Sequence, residues 1–182
     1  MPQRSFVAAA LVALTIAGCG SPAPSASQGP DGPCTADLPL RTSPTDYPLA
    51  VLYVAGDDLP PVVGAVEWLG DAEPVRFEPP RPIHLERFTV LQTEGQAEIS
   101  LRMSDGVRIA RWQVDAVPDG LFRSGDLETD LIRWAEGSDP ADVVCIPIRD
   151  GDWGIIADVT FADDGGHGTY YWRLNVTETP GT

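Results

Sequence analysis

The chain has no lysine: all twelve of its basic residues are arginine, set against 27 acidic residues, for a formal net charge of −15. Such a balance excludes the usual electrostatic partners of a basic protein. A negative surface repels the phosphates of nucleic acid and has no polybasic grip on anionic lipid. Histidine is nearly missing too, at two residues, His84 and His167. Neither has the sequence context of a general base, so serine–histidine hydrolysis lacks its second member. The three cysteines include no C-x-x-C pair and no neighbouring histidine, which removes the zinc signatures. G-x-S-x-G, G-x-G-x-x-G and G-x-x-x-x-G-K-[ST] are all absent. The sequence names no cofactor, no metal set and no catalytic residue.

Long apolar runs are also lacking, with one exception. Phe6 to Ala17 (FVAAALVALTIA) follows Arg4 and carries no charge. It falls short of the roughly 20 residues that cross a bilayer, and has the length of a signal-peptide h-region. At its end the small residues Ala17 and Gly18 stand directly before Cys19, with Ile16 ahead of them, and Ile16-Ala17-Gly18-Cys19 resembles the lipobox of bacterial lipoproteins. The resemblance implies that Cys19 receives a diacylglyceryl thioether. It also implies that residues 1–18 are cleaved as signal peptide and that Cys19 becomes the first residue, with an amine that can itself be acylated. Each buried CH₂ adds about 0.8 kcal/mol of membrane affinity, and two chains anchor where one does not. Only Arg4 precedes Cys19, so a chain starting there carries 11 basic and 27 acidic residues, net −16. The expected location is the extracytoplasmic face of the cell membrane, held by lipid alone. The heavy use of Ala, Gly, Pro, Asp and Arg is the coding bias of a GC-rich genome, an actinobacterial one being the source it suggests.

Residues 20–33 (GSPAPSASQGPDGP) contain no large apolar side chain and cannot offset the entropy of ordering. The expectation for 19–33 is a lipidated cysteine followed by a disordered tether. It spans about 20 Å as a coil and about 43 Å as an extended polyproline helix. Outside the membrane thiols pair. With Cys19 taken by lipid, Cys34 and Cys145 form the one remaining pair, closing a loop worth about 4–5 kcal/mol in the chain-entropy model. Two unpaired thiols are the alternative.

Residues 34–182 have the length of a single domain, and their dominant pattern has period two. Ala97, Ile99, Leu101 and Met103 share a face. Asp105-Gly106 then supplies a turn, and the apolar phase switches from Val107 and Ile109 to Trp112, Val114 and Ala116, which predicts a bulge near Ala110-Arg111. Ile155, Ala157, Val159 and Phe161 pair naturally with Tyr170, Trp172, Leu174 and Val176 across the polar loop DDGGHG, as a hairpin. Further strands are expected at 49–55, 62–68, 88–92 and 141–148. Asp126 to Gly137 (DLETDLIRWAEG) has helix-start acids and a terminal glycine and reads as a short helix, with a strand over 131–135 as the alternative. Seven or eight short strands with proline-rich connections predict an all-β antiparallel sandwich, immunoglobulin-like, with a small β-barrel as the alternative. The immunoglobulin Cys…Trp…Cys spacing is absent, because Cys34 precedes the first strand.

A functional reading follows from this architecture: a lipid-anchored, non-catalytic β-sandwich that binds an envelope protein or glycan. The alternatives are an envelope hydrolase with an unrecognised carboxylate site and a calcium-dependent adhesion module. The candidate ligand contacts are Trp153, which follows a turn, and the acidic pair Asp163 and Asp164, whose loop resembles those that offer carboxylate and carbonyl oxygens to calcium.

Overall fold

The computed structural model describes residues 38–54, 57–70, 73–79, 90–94, 99–147 and 149–177. Among these residues, eleven strands are arranged in two facing sheets. The smaller sheet has the order β2 (Asp57–Leu59), β1 (Ala50–Val54), β6 (Ile99–Met103), β9 (Val143–Ile146), all antiparallel. The larger has the order β4 (Val75–Phe77), β3 (Val62–Trp68), β11 (Gly166–Thr177), β10 (Gly151–Phe161), β7 (Ile109–Pro118), β8 (Ile132–Gly137). β3 covers only the first part of β11. β5 (Val90–Glu94) runs parallel to the remainder, Val90 opposite Arg173 and Glu94 opposite Thr177. Among the described residues, no helix is long and apolar enough to cross a membrane.

This is the all-β sandwich the period-two pattern predicts, and two separate sheets replace the barrel alternative. The strands β1, β6 and β9 lie against β7, β8, β10 and β11. In chain order, that places the first, second and fifth of these seven in one sheet and the rest in the other. Among these seven the chain therefore crosses between the layers after β6, β8 and β9. β3 and β4 extend the larger sheet beyond β11.

The core forms where the apolar phases meet. Leu52, Leu101 and Ile146 of the smaller sheet pack against Val114, Ile155, Ala157, Tyr170, Trp172 and Leu174 of the larger. Two buried polar groups tie β11 to distant backbone: Trp172 Nε1 donates to the carbonyl of Leu59, the last residue of β2, at 3.0 Å and the Tyr170 hydroxyl donates to that of Pro48 at 2.7 Å. The predicted phase switch in β7 is a bulge. Thr160 opposes Arg111 while Phe161 opposes Ile109, leaving Ala110 as the extra residue. Asp105 and Gly106 both have positive φ (56° and 70°), as a tight reversal requires, but the strands they join belong to different sheets. The turn is a corner between layers and not a hairpin.

The helix expected over 126–137 does not form. The α-helix among the described residues is α1 (Asp119–Ser124), closed by Gly125 with φ 80° and by the Asp126 amide donating to the Leu121 carbonyl. The Asp126 carboxylate does accept a backbone amide, that of Thr129 at 3.1 Å, but it caps one turn only. Asp130 then adopts φ 55° and the chain extends into β8. Pairing with β7 overrides local propensity here, and the strand alternative is the one realised.

Two outer faces remain. On the smaller sheet, Val51, Tyr53 and Ser100 point outward yet are buried. The segment from Leu38 onward lies over them: the Tyr53 hydroxyl donates to the Pro39 carbonyl at 2.7 Å, and the Arg102 guanidinium donates to the Leu38 carbonyl. Its far end is fastened by the Asp105 carboxylate, which accepts the Ser43 amide. On the larger sheet, α1 covers one half. Phe122 is fully buried against Val117 and Ile156 in a second, smaller core, and Asp119 forks onto Arg173 at 2.5 and 2.8 Å.

Candidate functional site

The other half of that outer face is uncovered. Because β7, β10 and β11 send their apolar residues inward, the alternate positions face out. Their register aligns Arg111, Thr160 and His167 in one row, and Gln113, Asp158 and Thr169 in the next. These six residues line a shallow cleft of about 260 Å³, together with Trp112, Val159 and Gly168. The floor is low because Thr160, Thr169 and Asp158 are short.

Hydrogen bonding fixes part of the cleft and leaves part free. Thr169 donates to Asp158 Oδ1 at 2.5 Å, which leaves Oδ2 of this exposed residue without a hydrogen-bond partner among the described residues. Gln113 donates through Nε2 to Asp115 at 2.6 Å and keeps its own carbonyl. Asp115 sits behind the cleft, almost fully buried, held also by Arg133, which reaches on to Glu136. Arg111 and Thr160 have no hydrogen-bond or ion-pair partner among the described residues. His167 stands 60% exposed, with Nδ1 3.9 Å from Glu67. The Arg76 guanidinium, 2.6 Å from Glu67, holds that carboxyl below its ordinary value.

The residues singled out from the sequence lie elsewhere and do not converge. Trp153 is half-buried. Its Nε1 donates to the carbonyls of Arg149 and Asp150 at 3.0 and 3.2 Å, and its ring meets Trp134 edge-on at 5.5 Å. It closes the end of the core, with its polar atom already used. Trp134 Nε1 is buried there and has no partner among the described residues. Asp163 and Asp164 are exposed in the β10–β11 turn, both at φ 56°, and no cluster of three His, Cys, Asp or Glu suited to a metal occurs among the described residues. Cys145 lies on β9 between the buried Val144 and Ile146 and so points outward, exposed. Cys19, Cys34 and His84 lie outside the described residues.

Sequence reasoning missed the cleft because its residues are the polar half of an alternating pattern, which reads as ordinary solvated surface. The one available signal was that Asp158, Thr160 and Thr169 are short where β10 and β11 pair. Comparison with known proteins places no constraint on the site: no family model matches the chain and no curated protein matches its sequence.

Proposed function

We propose that the protein is a lipid-anchored envelope lipoprotein whose β-sandwich is a binding module rather than an enzyme, with the cleft on the outer face of the larger sheet as its binding surface. The observation that carries this reading is the opposition of two faces. The segment at Leu38 lies over the outside of the smaller sheet, while the cleft lies on the outside of the larger. A tether leading from Cys19 to that entry point leaves the cleft directed away from its attachment. A binding role is favoured over hydrolysis because the cleft is lined by a single carboxylate, Asp158, and paired-carboxylate hydrolysis needs two.

The same reading includes a bridge between Cys34 and Cys145. Its support is that the sulfur of Cys145 is already bonded. Leu38 lies over Arg102 of β6, whose partner in register is Val143 of the cysteine's own strand. Cys34 is four residues upstream, a reach of about 13 Å, which suffices to cross one strand spacing of about 4.8 Å.

Two measurements test the proposal. Cell fractionation should move the Cys19→Ala protein out of the lipid-modified membrane pool; a mature amino terminus with an unmodified Cys19 thiol overturns the anchor. Capture from envelope extracts should be lost with Thr160→Arg, which fills the cleft; undiminished capture overturns the face.

A further inference from the structure

We infer that the occupant of the cleft is an uncharged, hydroxyl-rich chain: a neutral glycan. The inference rests on the binding reading above and adds the chemistry of the ligand. Three observations carry it. First, charge is balanced on this face, although the chain as a whole carries −15. Arg76, Arg111 and Arg133 stand among Glu67, Asp115, Asp158 and Glu136, a formal −1, and all but Arg111 and Asp158 belong to ion pairs. A polyanion or a polycation finds no uniform potential to follow. Second, the face offers no large exposed apolar anchor. The exposed large hydrophobic residues among those described are Leu40, Leu69 and Leu131, none of which lines the cleft, and the apolar residues that do, Trp112 and Val159, pack in or against the core. Protein interfaces are built around aromatic or aliphatic hot spots, and this lining presents no exposed one.

Third, the unused hydrogen-bonding capacity is mixed. Arg111 supplies donors, Asp158 Oδ2 and the Gln113 carbonyl accept, and the Thr160 hydroxyl does either. A sugar hydroxyl both donates and accepts, so a run of them can satisfy such a set without leaving a charge unpaired. The two rows span two strand spacings, about 10 Å, by one two-residue repeat, about 7 Å, the footprint of two adjoining sugar rings. Flatness and weak apolar contact predict modest affinity.

The test uses the detergent-solubilised full-length protein and its Thr160→Arg variant, titrated calorimetrically with maltohexaose, cellohexaose and chitohexaose, and in parallel with polygalacturonate and poly-lysine. The expected result is binding of at least one neutral oligomer, changed less than twofold between 50 and 300 mM salt and weakened at least tenfold by Thr160→Arg. Binding confined to either charged polymer, or no heat with all three neutral oligomers at millimolar concentration, overturns the glycan assignment. Capture from envelope extracts separates the two levels. If Thr160→Arg abolishes capture while no neutral oligomer binds, the face stands and the glycan falls; if capture is unchanged, both fall.

Discussion

The docking of α1 can be tested from both sides of one contact. Gly154 lies on β10 beneath Phe122, and a Cβ placed there would stand 2.0 Å from Phe122 Cδ2 and Cγ and 2.5 Å from its Cβ. No real packing tolerates that separation. The backbone of Gly154 is ordinary extended strand, so alanine suits its conformation and the whole cost is steric. Gly154→Ala must therefore eject the Phe122 ring from its contacts with Val117, Ile156 and Tyr171. Burying a phenylalanine side chain stabilises by about 1.5–3 kcal/mol, and truncation to alanine with a residual cavity costs about 3–5. The cluster is small and lies under a six-residue helix free to settle, so about 3 kcal/mol is expected for either Gly154→Ala or Phe122→Ala. In the Phe122→Ala background the clash is gone and Gly154→Ala should cost almost nothing, or gain a few tenths from the loss of unfolded-state entropy. The double variant should then sit about 3 kcal/mol below wild type, against about 6 for independent effects, a coupling of about 3 kcal/mol. Urea unfolding followed by tryptophan fluorescence, with ΔG taken from midpoint and slope, measures the cycle. Additivity within about 0.5 kcal/mol would refute the packing account.

Burial, and secondarily the neighbouring Tyr47, pushes the Tyr170 phenol above its ordinary value of 10.0, so the folded state keeps that proton longer than the unfolded chain. The stability this represents is intact below about pH 10 and falls above it, by about 1.4 kcal/mol per pH unit; Tyr170→Phe should flatten the alkaline limb of a stability–pH curve while costing about 1 kcal/mol at neutral pH through the orphaned Pro48 carbonyl. Cys34→Ser and Cys145→Ser should each cost about 4–5 kcal/mol in the chain-entropy model, with the double variant no worse than either; unequal single effects in denaturant titrations count against the pairing. Arg173→Ala should cost about 2–3 kcal/mol, because both it and Asp119 are largely buried, though Arg123 remains 3.0 Å from Asp119 to blunt the loss; hydrogen exchange should show α1 opening before the sheets. Gly166→Ala should be costly as well, since φ is 100° there and a Cβ would meet the Glu67 carbonyl oxygen at 2.0 Å.

The two-residue rhythm made much of the fold legible. It located the β10–β11 hairpin, β3 over its full range, the inward residues of β6 and the bulge at Ala110, because those strands alternate core-facing apolar residues with residues on the outer face. It failed at 126–137, where capping acids imitate a helix start and only pairing with β7 decides for a strand. It missed β2 and β4, three residues each, which are too short to show a period. The cleft was illegible for a different reason. Arg111, Gln113, Asp158, Thr160, His167 and Thr169 come from three strands across 59 residues, and nothing local relates them.

The sequence by itself determined which residues would face inward, because hydrophobic alternation is a local property that survives any arrangement of strands. It also carried the residues 16–19 that resemble a lipobox, from which the anchor is proposed, and the Pro/Ser/Gly-rich composition that follows them. Tertiary structure alone decided which strands became neighbours, that Asp105-Gly106 turns a corner between layers, and that the entry segment and α1 each cover an outer face. The uncovered remainder is the cleft. Its existence depends on register and on what lies over each sheet, and both are settled by contacts between residues far apart in the chain, where no local pattern reaches.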